Sequence, residues 1–323
     1  MTTRAWLIEN PAAGQDDWQE QVDAAAEALR AAGWAIEKKT TEGPGDATRL
    51  AREAVAAKQD TVIVAGGDGT VNEALQGLAG QRGTALAVLP GGTVNVWATE
   101  LGAKEDAVKV AQQIANGHRR TVDLGRVNDR YFLMMASAGF DAETNATVAD
   151  TPVLKQVKRR TGPLAYALAT LVTFRHFRGR RVVIDIDGVS IERRALMIIV
   201  GNTRLYGGLA EITYRAQADD GFLDVCVLGG HGPLDLAKRL LSVLLRRHQA
   251  DDEIDYRKAR RVVLDPAKPL RIQADGEDIG TTPATFQVYP DALDVIVFPD
   301  TPPGFLSERG EGEEGKGREV RAE

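Results

Sequence analysis

Gly66-Gly67-Asp68-Gly69-Thr70 follows the apolar run Thr61-Val62-Ile63-Val64-Ala65 and opens a helical pattern at Val71. A β-branched run, a glycine turn carrying one acid and then a helix start is how a backbone presents N–H groups to a phosphate. Glycine permits close approach, and the helix N-terminus favours negative charge. Gly-Asp-Gly also forms ordinary turns, so the reading depends on what accompanies it. Asn10-Pro11-Ala12-Ala13-Gly14 follows a strand candidate at residues 4–8, and Leu89-Pro90-Gly91-Gly92-Thr93-Val94-Asn95 follows another at 85–88. Three strands that each end in a glycine-bearing loop bring those loops together at the carboxyl edge of a parallel sheet, where open α/β folds bind ligands.

The pattern around these loops sets the architecture. Residues 1–123 alternate strands (6–9, 35–40, 61–65, 85–89) with helices (17–31, 46–57, 71–78, 94–101, 104–116), which predicts right-handed crossovers and a doubly wound parallel sheet. Past Thr121 the signals become those of hairpins, with Asn128-Asp129 and Asp187-Gly188 between apolar runs. Further strand-like runs lie at 195–200, 222–228, 261–264, 270–274, 285–289 and 293–298, with helices near 163–174 and 233–247. The expected fold is α/β plus β: a doubly wound domain at 1–123, whose loops are the phosphate-binding candidates, and an antiparallel, β-sandwich-like domain at 124–291. A strand at about 292–300 is a candidate to return to the first domain. Residues 307–323, rich in Gly and Glu, read as a disordered tail.

A chain of 323 residues has room for two such domains, and 43% hydrophobic with 27% charged residues is ordinary for a soluble globular protein. The single cysteine, Cys226, cannot form an internal disulfide, and four histidines without ligand spacing give no sign of zinc. No run of 18 apolar residues or secretory core occurs, so a cytoplasmic location is expected. The net charge of −6 is unevenly spread. Residues 151–181 hold Lys155, Lys158, Arg159, Arg160, Arg175, Arg178, Arg180 and Arg181 and no acid, and Arg257, Lys258, Arg260 and Arg261 form a second basic group. Such clusters are either solvated surface or a contact for an anionic membrane. Sparse aromatic interleaving argues against nucleic acid.

The three loops, read as N-P-x-x-G, G-G-D-G-T-x-N-E (Gly66 to Glu73) and P-x-G-T-x-N (Pro90 to Asn95), resemble the diacylglycerol kinase catalytic-domain family in order and spacing. That family groups bacterial lipid kinases with sphingosine and ceramide kinases, and the resemblance runs over about residues 4–300. It implies ATP as co-substrate and Mg²⁺ as cofactor. Asn10, Thr41, Gly66, Gly67, Asp68, Gly69, Thr70, Asn72, Glu73, Gly92 and Thr93 are then the nucleotide-site candidates. Asp68 has a catalytic role through Mg²⁺, and Glu73 either orients the phosphate loop or complements the helix dipole. Asp275-Gly276-Glu277 reads by itself as a hairpin tip, but the resemblance makes Glu277 the general base that an alcohol acceptor calls for. Asp220-Gly221-Phe222-Leu223-Asp224-Val225 resembles the family segment that holds a second Mg²⁺, with Asp220 giving a carboxylate and Gln217 and Phe222 backbone oxygens. Gly201-Asn202 and Tyr206-Gly207-Gly208 also match and are expected at the cleft. Val96 departs from the pattern, standing where many members carry an aspartate.

The activity implied is an ATP- and Mg²⁺-dependent kinase for diacylglycerol or a related membrane alcohol, reached by peripheral contact with an anionic bilayer. The alternatives are an NAD kinase or phosphofructokinase, which share G-G-D-G loops, and a catalytically silent lipid- or nucleotide-binding regulator.

Overall fold

The computed structural model of the protein describes residues 2–14, 17–104, 106–144, 177–208 and 210–307. Its first part alternates β1 (Arg4–Glu9), α1 (Trp18–Ala31), β2 (Ala35–Thr40), α2 (Asp46–Ala56), β3 (Thr61–Gly66), α3 (Asp68–Leu78) and β4 (Ala85–Pro90), then α4 (Val96–Glu100) and α5 (Ala107–Ala115). β3 is buried along its whole length, and β1 and β4 at every position but one, because helices cover both faces of a parallel sheet. β2, at the edge, is half exposed. The strands run parallel in the order β2-β1-β3-β4, with α1 against α5 and α2 against α3. The chain moves outward from β1 to β2 and then returns past β1 to β3, so the switch point lies between β1 and β3. The first two glycine loops leave the sheet at that point.

The second part is antiparallel. It comprises β5 (His118–Val127), β6 (Arg130–Phe132), β7 (Met135–Gly139), β8 (Arg180–Ile186), β9 (Val189–Gly201), β10 (Leu205–Tyr206), β11 (Ala210–Glu211) and β12 (Leu223–Gly229). After α6 (Pro233–Leu244) come β13 (Ile254–Ala259), β14 (Arg261–Pro266), β15 (Arg271–Ala274), β16 (Glu277–Thr281) and β17 (Ala284–Val297). Among the described residues fifteen strands form one continuous sheet, following β16-β15-β7-β9-β8-β14-β17-β4 and on into the parallel strands. Hairpins turn at Asp187-Gly188 and Asp275-Gly276, where both residues have positive φ as a two-residue turn of this hand requires.

β17 joins the halves. Its first residues pair with β14 and place Ala284, Phe286 and Val288 in the core of the antiparallel part. A register shift between Tyr289 and Leu293, at Asp291 with φ of 51°, redirects it. Leu293, Val295 and Val297 then enter the core under the parallel strands, and Val295 pairs in parallel with Leu86 of β4.

Several element boundaries differ from expectation. The runs at 285–289 and 293–298 are one bent strand. The helix expected at 94–101 begins only at Val96, because Asn95 sits in the left-handed region. The helix at 233–247 stops at Leu244 and Arg246 has φ of 55°. Residues 254–259 and 135–139, not read as strands, are β13 and β7. The expected helix near 163–174, the basic residues between 155 and 175 and the tail from 308 lie outside the described residues. No described helix is long and apolar enough to cross a membrane.

Candidate active site

The first loop is fastened to the second at the switch point. The Asn10 backbone N–H donates to Ala65 O at 3.0 Å, and Asn10 Nδ2 donates to Thr70 Oγ1 at 2.9 Å. The third loop closes over them. Gly91 N donates to Gly66 O at 2.9 Å, and the backbones of Gly67 and Gly92 pass so closely that a Cβ on Gly92 would sit 2.8 Å from Gly67 Cα. Only glycine fits there. Asn95, one of the residues that tolerates positive φ, clamps this loop by accepting from Gly92 N at 2.8 Å and donating to Gly92 O at 2.7 Å. The next residue, Val96, donates its N–H to Asp68 Oδ1 at 2.9 Å. The position that lacks the family's frequent aspartate therefore grips Asp68 through its backbone. Gly92, Thr93 and Gly69 stay exposed at the rim, while Thr70 is buried.

Thr41 follows β2, its N–H bound to Glu9 O at 2.9 Å. Its loop is tied to α3 through Glu73, whose Oε2 accepts from Gly45 N at 2.9 Å while its carbonyl accepts from Thr48 Oγ1 at 2.7 Å. Glu73 lies in the second turn of α3, so it braces the loop rather than complementing the helix N-terminus.

The antiparallel part delivers its own acids to this edge. Asp275 is buried; its Oδ2 accepts from Asn72 Nδ2 at 3.0 Å and Leu133 N at 2.7 Å, and its Oδ1 from Met134 N and Met135 N, both at 3.0 Å. Arg130 Nη2 donates to Asn72 Oδ1 at 2.6 Å and to Glu277 Oε2 at 2.5 Å. Asn72 on α3 thus links the helix after the second glycine loop to the Asp275-Gly276 turn and to Glu277 at the head of β16. Sequence reasoning missed Asp275 and Arg130. The signal for Asp275 was visible only as a turn, and nothing marked Arg130 beyond its place after the Asn128-Asp129 turn.

Burial raises the Asp68 carboxyl to about 6, and the charge of Asp275 adds to the rise against hydrogen bonds from Val96, Asn95 and Trp97 N–H. Burial also lifts Glu277 above the ordinary carboxylate range; Arg130 pulls it down while Glu73 and Asp275 push it up. Two acids at one edge are therefore held as stronger bases than free carboxylates.

Of the other candidates, Gly208 faces the third loop, since a Cβ there would lie 2.9 Å from Val94 Cγ1. Asn202 is instead buried at the joint, its Nδ2 donating to Asp123 O and Leu133 O, both at 2.9 Å. Gln217, Asp220 and Phe222 form a separate corner before β12. Asp220 Oδ1 accepts from Phe222 N at 3.0 Å, and its Oδ2 is held by Lys258 Nζ. Beside it Asp224, pushed to about 6 by burial, accepts from Tyr256 Oη at 2.8 Å. No cluster of three or more His, Cys, Asp or Glu able to hold a metal occurs among the described residues.

Three glycine loops thus lie at the switch point of a parallel sheet, with acids brought to them by the antiparallel part. The diacylglycerol kinase catalytic domain model matches residues 4–127, and the YegS C-terminal NAD kinase beta sandwich-like domain model matches 134–297. A diacylglycerol kinase of Bacillus subtilis (strain 168) is 32% identical over 286 residues, covering 88% of this chain and 92% of the relative. One from Staphylococcus aureus (strain MRSA252) is 29% identical over 297 residues, with 92% and 93% covered. A crystal structure assigned as a diacylglycerol kinase from Bacillus anthracis str. Sterne superposes with a TM-score of 0.78 at 28% identity, over 92% of this chain and 98% of that one. This chain belongs to the diacylglycerol kinase family, a family of lipid kinases.

Proposed function

We propose that the protein is an ATP- and Mg²⁺-dependent kinase that phosphorylates the hydroxyl of diacylglycerol or a related lipid, working from the cytoplasmic surface of a membrane. The observation that carries this reading is the Asn72–Arg130–Glu277 connection, which holds a carboxylate base beside the helix that opens the phosphate loop. The names of the relatives support the choice of diacylglycerol.

Phosphoryl transfer is chiefly positioning and charge stabilisation. Backbone N–H groups of the three loops, Thr70 and Thr93 hydroxyls and the N-terminus of α3 bind the phosphates. Asp68, at the first position of α3, puts a negative charge where the nucleotide's phosphates come. A bound cation would offset that conflict, and a partly buried carboxylate is a hard-oxygen donor suited to Mg²⁺. Asp68 would hold Mg²⁺, which when bound would supply charge neutralisation at the phosphates. Glu277 accepts the proton of the acceptor hydroxyl; Arg130 fixes Oε2, while Oε1 has no hydrogen-bond partner among the described residues. The Asp220 corner offers one carboxylate and turn carbonyls to a second Mg²⁺, which would compete there with the Lys258 ammonium.

The test is γ-phosphate transfer from labelled ATP to diacylglycerol vesicles, sphingosine, NAD and fructose 6-phosphate in parallel, with and without chelator. Metal-dependent label on a lipid is the expected result. Label only on NAD or fructose 6-phosphate moves the protein to the small-molecule kinases, and none on any acceptor favours a silent regulator.

A further inference from the structure

Seven large apolar side chains are exposed among the described residues, and four belong to one short segment: Leu234 (78% exposed), Leu241 (56%), Leu244 (65%) and Leu245 (55%) of α6 and its C-terminal cap. At 3.6 residues per turn, Leu234, Leu241 and Leu245 point within about 40° of one another. The buried Leu236 and Val243 face almost the opposite way. A helix anchored by one apolar stripe ordinarily turns a polar face to water; α6 turns a second apolar stripe to it. Lys238 lies on the outward side between Leu234 and Leu241 and is exposed, as are Arg247 just past the helix and Arg178 beside its start. Most of the nearby acids are directed elsewhere, although Asp235 also feels the charge of Lys238. Asp235 accepts from His231 N, and Asp251 is paired with Arg239. Glu211 holds Arg246. Asp252 and Glu253 lie beyond the end of the helix.

We propose that α6 is an interfacial helix that lies flat on an anionic bilayer, its outward leucines entering the boundary between headgroups and acyl chains. Twelve residues, about 18 Å of helix, are too short to span a membrane and suited to lying in its surface. Leucines seat in the apolar layer while Lys238, Arg247 and Arg178 meet headgroup phosphates. The occupant is identified by this pairing of leucines with exposed cations, and by the bilayer-resident acceptor of the proposed reaction, on which the choice rests. The helix also stands close to the site. Phe140, which packs with Leu236, is five residues along the chain from Met135, whose carbonyl accepts from Asp275 N. That separation is about 17 Å of extended chain.

The test uses the full chain without nucleotide, so that docking is read apart from catalysis. Leu234→Glu/Leu241→Glu, at exposed positions, is expected to melt like the parent. Its partition onto phosphatidylglycerol-containing vesicles, measured by flotation, should fall at least about tenfold. Lys238→Glu should fall less and only at low salt, and pure phosphatidylcholine should bind the parent weakly. In the kinase assay the double variant should lose turnover on vesicle-borne long-chain diacylglycerol but keep it on a short-chain soluble analogue. Unchanged vesicle partition of the double variant overturns the proposal, as does parental dimerisation that the variant abolishes while vesicle binding persists, which would make a second copy the occupant. Leucine-dependent vesicle binding without lipid phosphorylation would sustain docking and refute the kinase reading.

Discussion

Replacing Asp275 by Asn strikes the joint that carries the candidate base. The two oxygens of this buried carboxylate accept four hydrogen bonds, from Asn72 Nδ2 and the N–H groups of Leu133, Met134 and Met135. Asparagine keeps one oxygen, so two of the four donors meet an NH₂ group instead. Each buried donor left unmatched costs about 1–3 kcal/mol, and part of this is returned because a buried charge is removed; burial already holds this carboxyl above its ordinary value. The net loss is about 3 kcal/mol. For a chain of this size that lowers Tm by about 4–5 °C. Calorimetry near neutral pH reads the loss directly, and a phosphoryl-transfer assay below the new Tm should show reduced kcat because Asn72, Arg130 and Glu277 depend on the same carboxylate. A variant that melts within about 1 °C of the parent and turns over equally would refute this account of the joint.

Two further outcomes follow from the charges. Folded Asp68 keeps its proton to about 6 against an ordinary 3.8, so the folded state binds more protons between those values and Asp68 costs stability as pH rises through them. Asp68→Asn should therefore gain stability relative to the parent from about pH 4 to 6, reaching about 2 kcal/mol after allowance for partial exposure; a pH-independent Tm difference would contradict the shift. At the other corner, Asp220→Ala should abolish any rise of Tm with Mg²⁺ and Lys258→Met should enlarge it, whereas equal Mg²⁺ responses in parent and both variants would leave Asp220 as a turn residue paired with Lys258.

What the sequence disclosed was the part written locally. The strand–glycine–helix pattern at 61–71 and the loops at 10–14 and 90–95 needed only backbone preferences, and they located the sheet edge. Asp275 and Arg130 were hidden because their partners are far along the chain: Asn72 and Asp275 are 203 residues apart, and Arg130 and Glu277 are 147. The strand at Ile254–Ala259 was masked by Arg257 and Lys258, whose charge suggested surface, while Ile254, Tyr256 and Ala259 turn toward the apolar cores. Pro290 made β17 look like two strands, because a bend at Asp291 does not show as a continuous apolar pattern. Glu73 read equally as a loop-orienting or a helix-dipole residue, since its partner, the Gly45 N–H, lies on another loop.

Single-turnover phosphoryl transfer by Glu277→Gln, with ATP affinity measured alongside, tests the central claim most directly. Glutamine keeps the shape and a hydrogen-bond acceptor for Arg130 but cannot take the acceptor's proton. Transfer to a short-chain diacylglycerol should slow by about 10² or more with ATP affinity nearly unchanged. Transfer at the parental rate would remove Glu277 from the reaction and with it the reading of this site as a lipid kinase built around that base.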